Sequence, residues 1–237
     1  MRVFVWVAAV AGGGRRRDAE MGRPALLPYP RVGYDGPMPG DAARTLDPEF
    51  PNLSPEVIEG YRDAPGHLVA EIIDGELSLL PRPRRRHVHS ASVLSHRLGP
   101  FFDPSDGDPG GWVIHVEPGL HLGAQPDIVV PDLAGWRRGT LPAGFLDESD
   151  DLTLAPDWVC EVLSPSTEKV DRGRKLDLYH REAVSHVWLL SPPLRTIEVY
   201  RRHDLGWLRV ATFGGEVLAR VEPFDAVVID LAALWRL

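Results

Sequence analysis

Apolar positions recur with two periods along this chain, and the switches between them mark its elements. Residues 67–80, HLVAEIIDGELSLL, carry two apolar runs around Asp74-Gly75. An Asp-Gly pair favours a tight two-residue turn, so the spacing predicts a β-hairpin. Ahead of it, SPEVIEGYRDA (54–64) opens with Ser-Pro-Glu, a good N-cap and first-turn arrangement for a short helix. In residues 87–102, Val88, Ala91, Leu94 and Leu98 recur at helical spacing. Residues 112–122 contain one strand or two, 126–133 one short strand, and 157–164 a buried strand. Residues 166–183 read as a helix capped by Ser166 or Thr167, followed by strands over 185–191, 196–202 and 207–213. Residues 103–111 and 135–151 read as loops, and 216–237 close the domain. No repeat is present. The order predicts an α/β domain: one mixed β-sheet with helices packed on its faces.

Composition adds boundaries. The chain has 237 residues, 43% hydrophobic and 25% charged, enough for one sizeable core. Residues 12–55 are rich in Gly and Pro without periodicity, so residues 1–53 read as a poorly ordered tail and 54–237 as the domain. The apolar run Val3–Ala11 is too short to cross a membrane. One Arg precedes that run and three follow it, a weak likeness to a secretory signal, and Met21 offers an internal start. The single cysteine, Cys160, rules out an intrachain disulfide and a Cys-based zinc cluster, in keeping with a reducing, cytoplasmic setting. The net charge of −8 argues against binding polyanions by bulk charge.

Charge distribution then points to a site. The chain has 26 Lys and Arg together, of which only Lys169 and Lys175 are lysines, and both follow closely on Glu161. Glu161 sits between Val159-Cys160 and Val162-Leu163. In a strand it shares a face with Val159 and Leu163, and a buried carboxylate is costly unless paired or metal-bound. Asp127 follows Pro126 and opens Ile128-Val129-Val130. Two such carboxylates on neighbouring strands would share one Mg²⁺, which binds through one or two carboxylates plus waters. Asp171, Lys175 and Tyr179 are four apart and share a helix face. A lysine there offers a compact, tunable charge that arginine does not. Neither a Gly-x-Ser-x-Gly elbow nor a phosphate-binding P-loop is present.

The runs QPDIVV, PDWVCEVLSPST, DRGRKLDLYHREAVSHVWLLSP and TIEVYR, with the EIIDGEL hairpin and a following helix with a leading His, resemble the Uma-two family. That family is grouped with the PD-(D/E)XK nucleases, the superfamily of many restriction endonucleases. The resemblance covers residues 54–235. It implies a restriction-endonuclease-like core and Mg²⁺-dependent hydrolysis of phosphodiester bonds, most simply in DNA, with Mn²⁺ as a substitute ion. Asp127 would take the place of the Asp in the PD motif and Glu161 that of the acidic residue in (D/E)XK. The superfamily lysine stands two residues after the Glu, where this chain has Leu163. Lys175 on the following helix fits its displaced position better than Lys169. Asp127, Glu161 and the Val162 carbonyl would hold the metal, with Glu71 and Gln125 as accessory groups and Asp171 and Tyr179 supporting Lys175. Arg84, Arg85, Arg86 and His87 would contact the substrate, since residues 81–100 carry five Arg and no acid. Double-strand cutting would favour a homodimer. A nuclease fold without activity, serving as a binding module, is the alternative.

Overall fold

The hairpin forms at the expected dipeptide. Strands β1 (Leu68–Ile73) and β2 (Glu76–Pro81) pair in antiparallel register from Leu68↔Pro81 to Ile73↔Glu76. Asp74 and Gly75 both take positive φ, 52° and 76°, as a tight hairpin turn requires. This computed structural model describes residues 50–101, 110–124, 126–145 and 152–236. Most of the expected tail, part of each expected loop and Gln125 lie outside the described residues. Within the expected tail, Phe50 is buried against Ile58, Ile72 and Ile128.

Helix α1 (Pro55–Arg62) starts where Ser54 Oγ accepts the Val57 N–H. Helix α2 (Arg85–Arg97) follows the hairpin. Strands β3 (Trp112–Val116), β4 (Leu120–Leu122), β5 (Asp127–Val129), β6 (Leu133–Arg137) and β7 (Trp158–Val162) come next. Helix α3 (Glu168–Val170) runs through a π-helical turn, Asp171–Lys175, into α4 (Leu176–Arg181). Strands β8 (His186–Ser191), β9 (Thr196–His203), β10 (Gly206–Gly214), β11 (Leu218–Ala219) and β12 (Ile229–Asp230) precede α5 (Ala232–Trp235).

The α/β class holds, with the strands divided between sheets. The mixed sheet has six strands in the order β10-β9-β8-β7-β6-β3, and only β7 and β8 run parallel. A parallel pair needs a long crossover, so the segment from α3 to α4 must pass over this sheet. The hairpin belongs to a four-stranded antiparallel sheet, β2-β1-β5-β4, and β11 pairs with β12.

The expected loop over 135–151 begins instead inside β6, which lies between β7 and the edge strand β3 of the six-stranded sheet. Gly135 stands inside this strand. Its role is steric: an added Cβ would meet Trp158 at 3.1 Å and Trp112 at 3.3 Å. Glycine lets two tryptophans close over the strand.

Strand alternation sorts β7 onto two faces. Trp158, Cys160 and Val162 join one cluster with Trp188, Phe224, Leu94 and Leu98. Val159 and Leu163 join another with Leu178 and Tyr179 of α4. Glu161 points to this second face, beneath the crossover. Among the described residues, no helix is long and apolar enough to cross a membrane.

An ion-pair fork fixes the crossover to the sheet. Arg172 donates to Glu198 of β9 at 2.6 and 3.2 Å and to Glu168 at 2.8 Å. The Arg172 hydrogen bonds hold the Glu198 carboxyl below its ordinary range. A depressed carboxyl contributes stability above its unfolded-state pKa and loses it as pH falls through the folded value. Glu198→Gln is therefore expected to cost about 1 kcal/mol near neutrality, part of the fork being solvent-screened. The difference from the wild type should shrink in acid, which urea denaturation at several pH values will measure. A pH-independent difference would rule this out.

Candidate active site

Register brings the acidic groups together. Leu133 of β6 pairs with Cys160 of β7. One step further along the same antiparallel register sets Asp132 beside Glu161. The Val162 N–H donates to Asp132 Oδ2 at 2.7 Å, fixing that carboxylate against the end of β7. From the other sheet, β1 supplies Glu71, whose Oε1 accepts the Val130 N–H at 2.9 Å. The crossover then lowers Lys175 among them. Its Nζ lies 2.8 Å from Glu71 Oε1, 3.3 Å from Glu161 Oε1 and 3.5 Å from Asp171 Oδ1. The hydroxyl of Tyr179 donates to Glu161 Oε1 at 2.5 Å.

The local sequence explains the crossover's pose. Ser164 O accepts the backbone N–H groups of Thr167 and Glu168, so SPST turns the chain from strand into helix. The π turn that follows widens the helix at Asp171–Lys175, an irregularity often found at functional sites. Both of its end residues face inward.

Five ionisable groups are thus nearly removed from water. Relative exposures are 1% for Glu71, 8% for Asp132 and 3% each for Glu161, Asp171 and Lys175. Burial pushes the Glu161 carboxyl well above the ordinary range, against the pull of Lys175. Burial raises Asp171 too, again opposed by Lys175. Burial alone would lower Lys175, but Glu161, Glu71 and Asp171 outweigh it and hold the ammonium charged. The cluster has more carboxylates than cations to balance them. Glu71 keeps Oε2 buried with no hydrogen-bond partner.

His87 closes the cluster from the first turn of α2, its Nε2 lying 3.3 Å from Asp132 Oδ1. Burial opposes its charge, yet the Asp132 hydrogen bond leaves the imidazole above its ordinary pKa. These groups and Val162 line a cavity of about 480 Å³.

A family model described as "Putative restriction endonuclease", Uma2, matches residues 59–232. The chain belongs to the Uma2 family. It is 30% identical over 168 residues to an uncharacterised Synechocystis protein, slr1290, covering 67% of this chain and 80% of that one. Its fold is shared with a crystal structure titled as a putative nuclease from Anabaena variabilis. That match has a TM-score of 0.58 at 20% identity, covering 70% of this chain and 89% of the other.

The expected site residues of this Uma2 chain fare differently. Glu161, Val162, Lys175, Glu71 and His87 meet at one cavity, with Asp171 and Tyr179 beside Lys175. Arg84, Arg85 and Arg86 lie at its edge and are exposed. Lys169 is exposed on the crossover. Asp127 is not brought to the cluster. Ile128 pairs with Ile72, which sets Asp127 toward the hairpin turn and Val129 beside Glu71. Two residues along a strand is about 7 Å. There Asp127 Oδ1 accepts the Asp74 N–H at 2.6 Å and Oδ2 pairs with Arg181. Asp127 latches the hairpin to α4, and the place foreseen for it beside Glu161 belongs to Asp132. A signal for Asp132 was present: Pro131-Asp132 repeats the Pro126-Asp127 dipeptide five residues later.

Among the described residues, no three His, Cys, Asp or Glu side chains are arranged to hold a metal. Mg²⁺ asks for less, since it keeps several waters and takes one or two carboxylates. The adjacent Asp132 and Glu161, with the unpartnered Glu71 oxygen nearby, fit that demand.

Proposed function

We propose that this protein is a metal-dependent endonuclease that hydrolyses phosphodiester bonds in DNA. The observation that carries the reading is the convergence of Asp132, Glu161 and Lys175 in one buried cluster that opens into a cavity edged by arginines. Membership of the Uma2 family and the nuclease-titled neighbour support the same reading.

Asp132 and Glu161 are the groups that would hold Mg²⁺ or Mn²⁺. When bound, such an ion polarises a phosphate and lowers the pKa of a coordinated water. The chain's own residues perform the rest. Lys175 keeps a proton and a positive charge among Glu71, Glu161 and Asp171, placed to orient a water or to neutralise charge on the phosphate. Tyr179 fixes one oxygen of Glu161, and the Val162 N–H fixes one of Asp132. His87 holds the other Asp132 oxygen. Arg84, Arg85 and Arg86 form no ion pair among the described residues and stand ready for phosphates.

The test is cleavage of supercoiled plasmid with Mg²⁺ or Mn²⁺, beside Glu161→Ala and Lys175→Ala. Nicking or linearisation by the wild type is expected, stopped by EDTA and by either substitution. No cleavage with either ion, together with no metal binding by calorimetry, would favour the inactive binding module.

A further inference from the structure

We infer that the cavity above the acidic cluster takes a single unstacked nucleotide, so that the substrate is single-stranded or locally opened DNA rather than intact duplex. The inference rests on the nuclease reading and names the substrate form of that same site.

The cavity's chemistry divides by depth. Its floor holds the buried cluster of Glu71, Asp132, Glu161 and Lys175. Its walls are largely apolar, with Val69, Leu80, Leu163, Pro192 and Pro193 beside the hydroxyls of Ser164 and Thr167. Its edge carries Arg82, Arg84, Arg85 and Arg86, and α2 begins there at Arg84 without a side-chain cap. A volume of about 480 Å³ falls within the range of cavities that enclose a small organic ligand, about 300–1,000 Å³.

Each layer suits one part of a nucleotide. A phosphate belongs with the arginines and the open N–H groups of the helix start. A base is a flat, weakly hydrated ring that gains from leaving water against proline and leucine faces. In duplex DNA that ring is stacked and paired, and cannot reach such walls unless it is extruded. A duplex surface instead needs many phosphate contacts spread along it. This chain carries a net charge of −8, and the four arginines at the cavity edge are clustered within residues 82–86. That footprint matches a short single strand, which proteins bind with a local basic track and apolar platforms for bases.

The experiment uses the full chain and a fluorescein-labelled mixed-sequence oligonucleotide of about 12 nucleotides, a length near one single-strand site. Anisotropy in EDTA reads binding to the single strand, the perfect duplex and a duplex with one bulged base. Cleavage rates in Mn²⁺ follow on the same three. The single strand and the bulged duplex are expected to bind at least about tenfold tighter than the perfect duplex and to be cut faster. Val69→Trp, which narrows the chamber from its β1 wall, should weaken single-strand binding about tenfold with an unchanged urea midpoint. If that variant does not fold, Pro193→Trp at the exposed wall gives the same reading. Equal or faster cutting of the perfect duplex would overturn the chamber alone. No cleavage of any form would overturn the nuclease reading, and the chamber with it.

Discussion

Lys175→Met is expected to destabilise the protein by about 3–5 kcal/mol, the usual cost of removing one partner from a buried ion cluster. The Lys175 ammonium lies within 3.5 Å of three carboxylates that are each no more than 3% exposed. Methionine matches the stem of the side chain, so little volume is lost. What remains is Glu71, Glu161 and Asp171 facing one another without a cation. Lys175→Arg should also be poorly tolerated, because a planar fork replaces a compact charge in a space shaped by four side chains. Urea denaturation in EDTA measures both. The double variant Glu71→Gln/Lys175→Met should recover part of the loss, since one surplus charge leaves with the lysine. A loss under about 1 kcal/mol would be the value for a solvated surface pair and would contradict the buried cluster.

Asp132→Asn is expected to lower the rate of plasmid nicking by about 10²–10³-fold, the scale seen when one preorganised electrostatic group is removed from a site. Asparagine keeps the size of the side chain, and its carbonyl still accepts the Val162 N–H, so the fold should survive. Asp127→Asn makes the contrast. Asp127 is paired with Arg181 and the Asp74 N–H at the hairpin turn. Losing its charge should cost no more than about 1 kcal/mol of stability, because burial opposes the carboxylate and Arg181 is half exposed, and should leave the nicking rate of the folded protein nearly unchanged. Initial rates at saturating Mg²⁺, with unfolding midpoints for both variants, separate the two aspartates. The reverse pattern would favour Asp127 as the metal-holding group of the proposed nuclease and break the link between strand register and site.

The two aspartates also mark where sequence stops being sufficient. Both follow a proline, and both flank the Ile128-Val129-Val130 run. Nothing local separates them. The choice depends on which one continues into a strand paired with β7, and that pairing spans a long stretch of chain. The same limit hid β6, whose residues from Gly135 on read as a loop until two tryptophans are seen to press on that glycine. His87 was legible as a group near the substrate, but its contact with Asp132 requires α2 and β6 to meet.

What the sequence determined by itself is most of the elements and most of the cluster's chemistry. Asp74-Gly75 dictates the hairpin through backbone sterics. The alternation around Glu161 dictates that a carboxylate is buried with Val159 and Leu163. The four-residue spacing of Asp171, Lys175 and Tyr179 dictates one helix face. These are properties of neighbouring residues, set by local geometry and the cost of exposing apolar surface. Tertiary structure decided the partners: Asp132 rather than Asp127 beside Glu161, Glu71 from a second sheet against Lys175, and an apolar chamber over both. Such choices belong to long-range pairing, where one register places a charge on a cation and a shift of two residues carries it about 7 Å away.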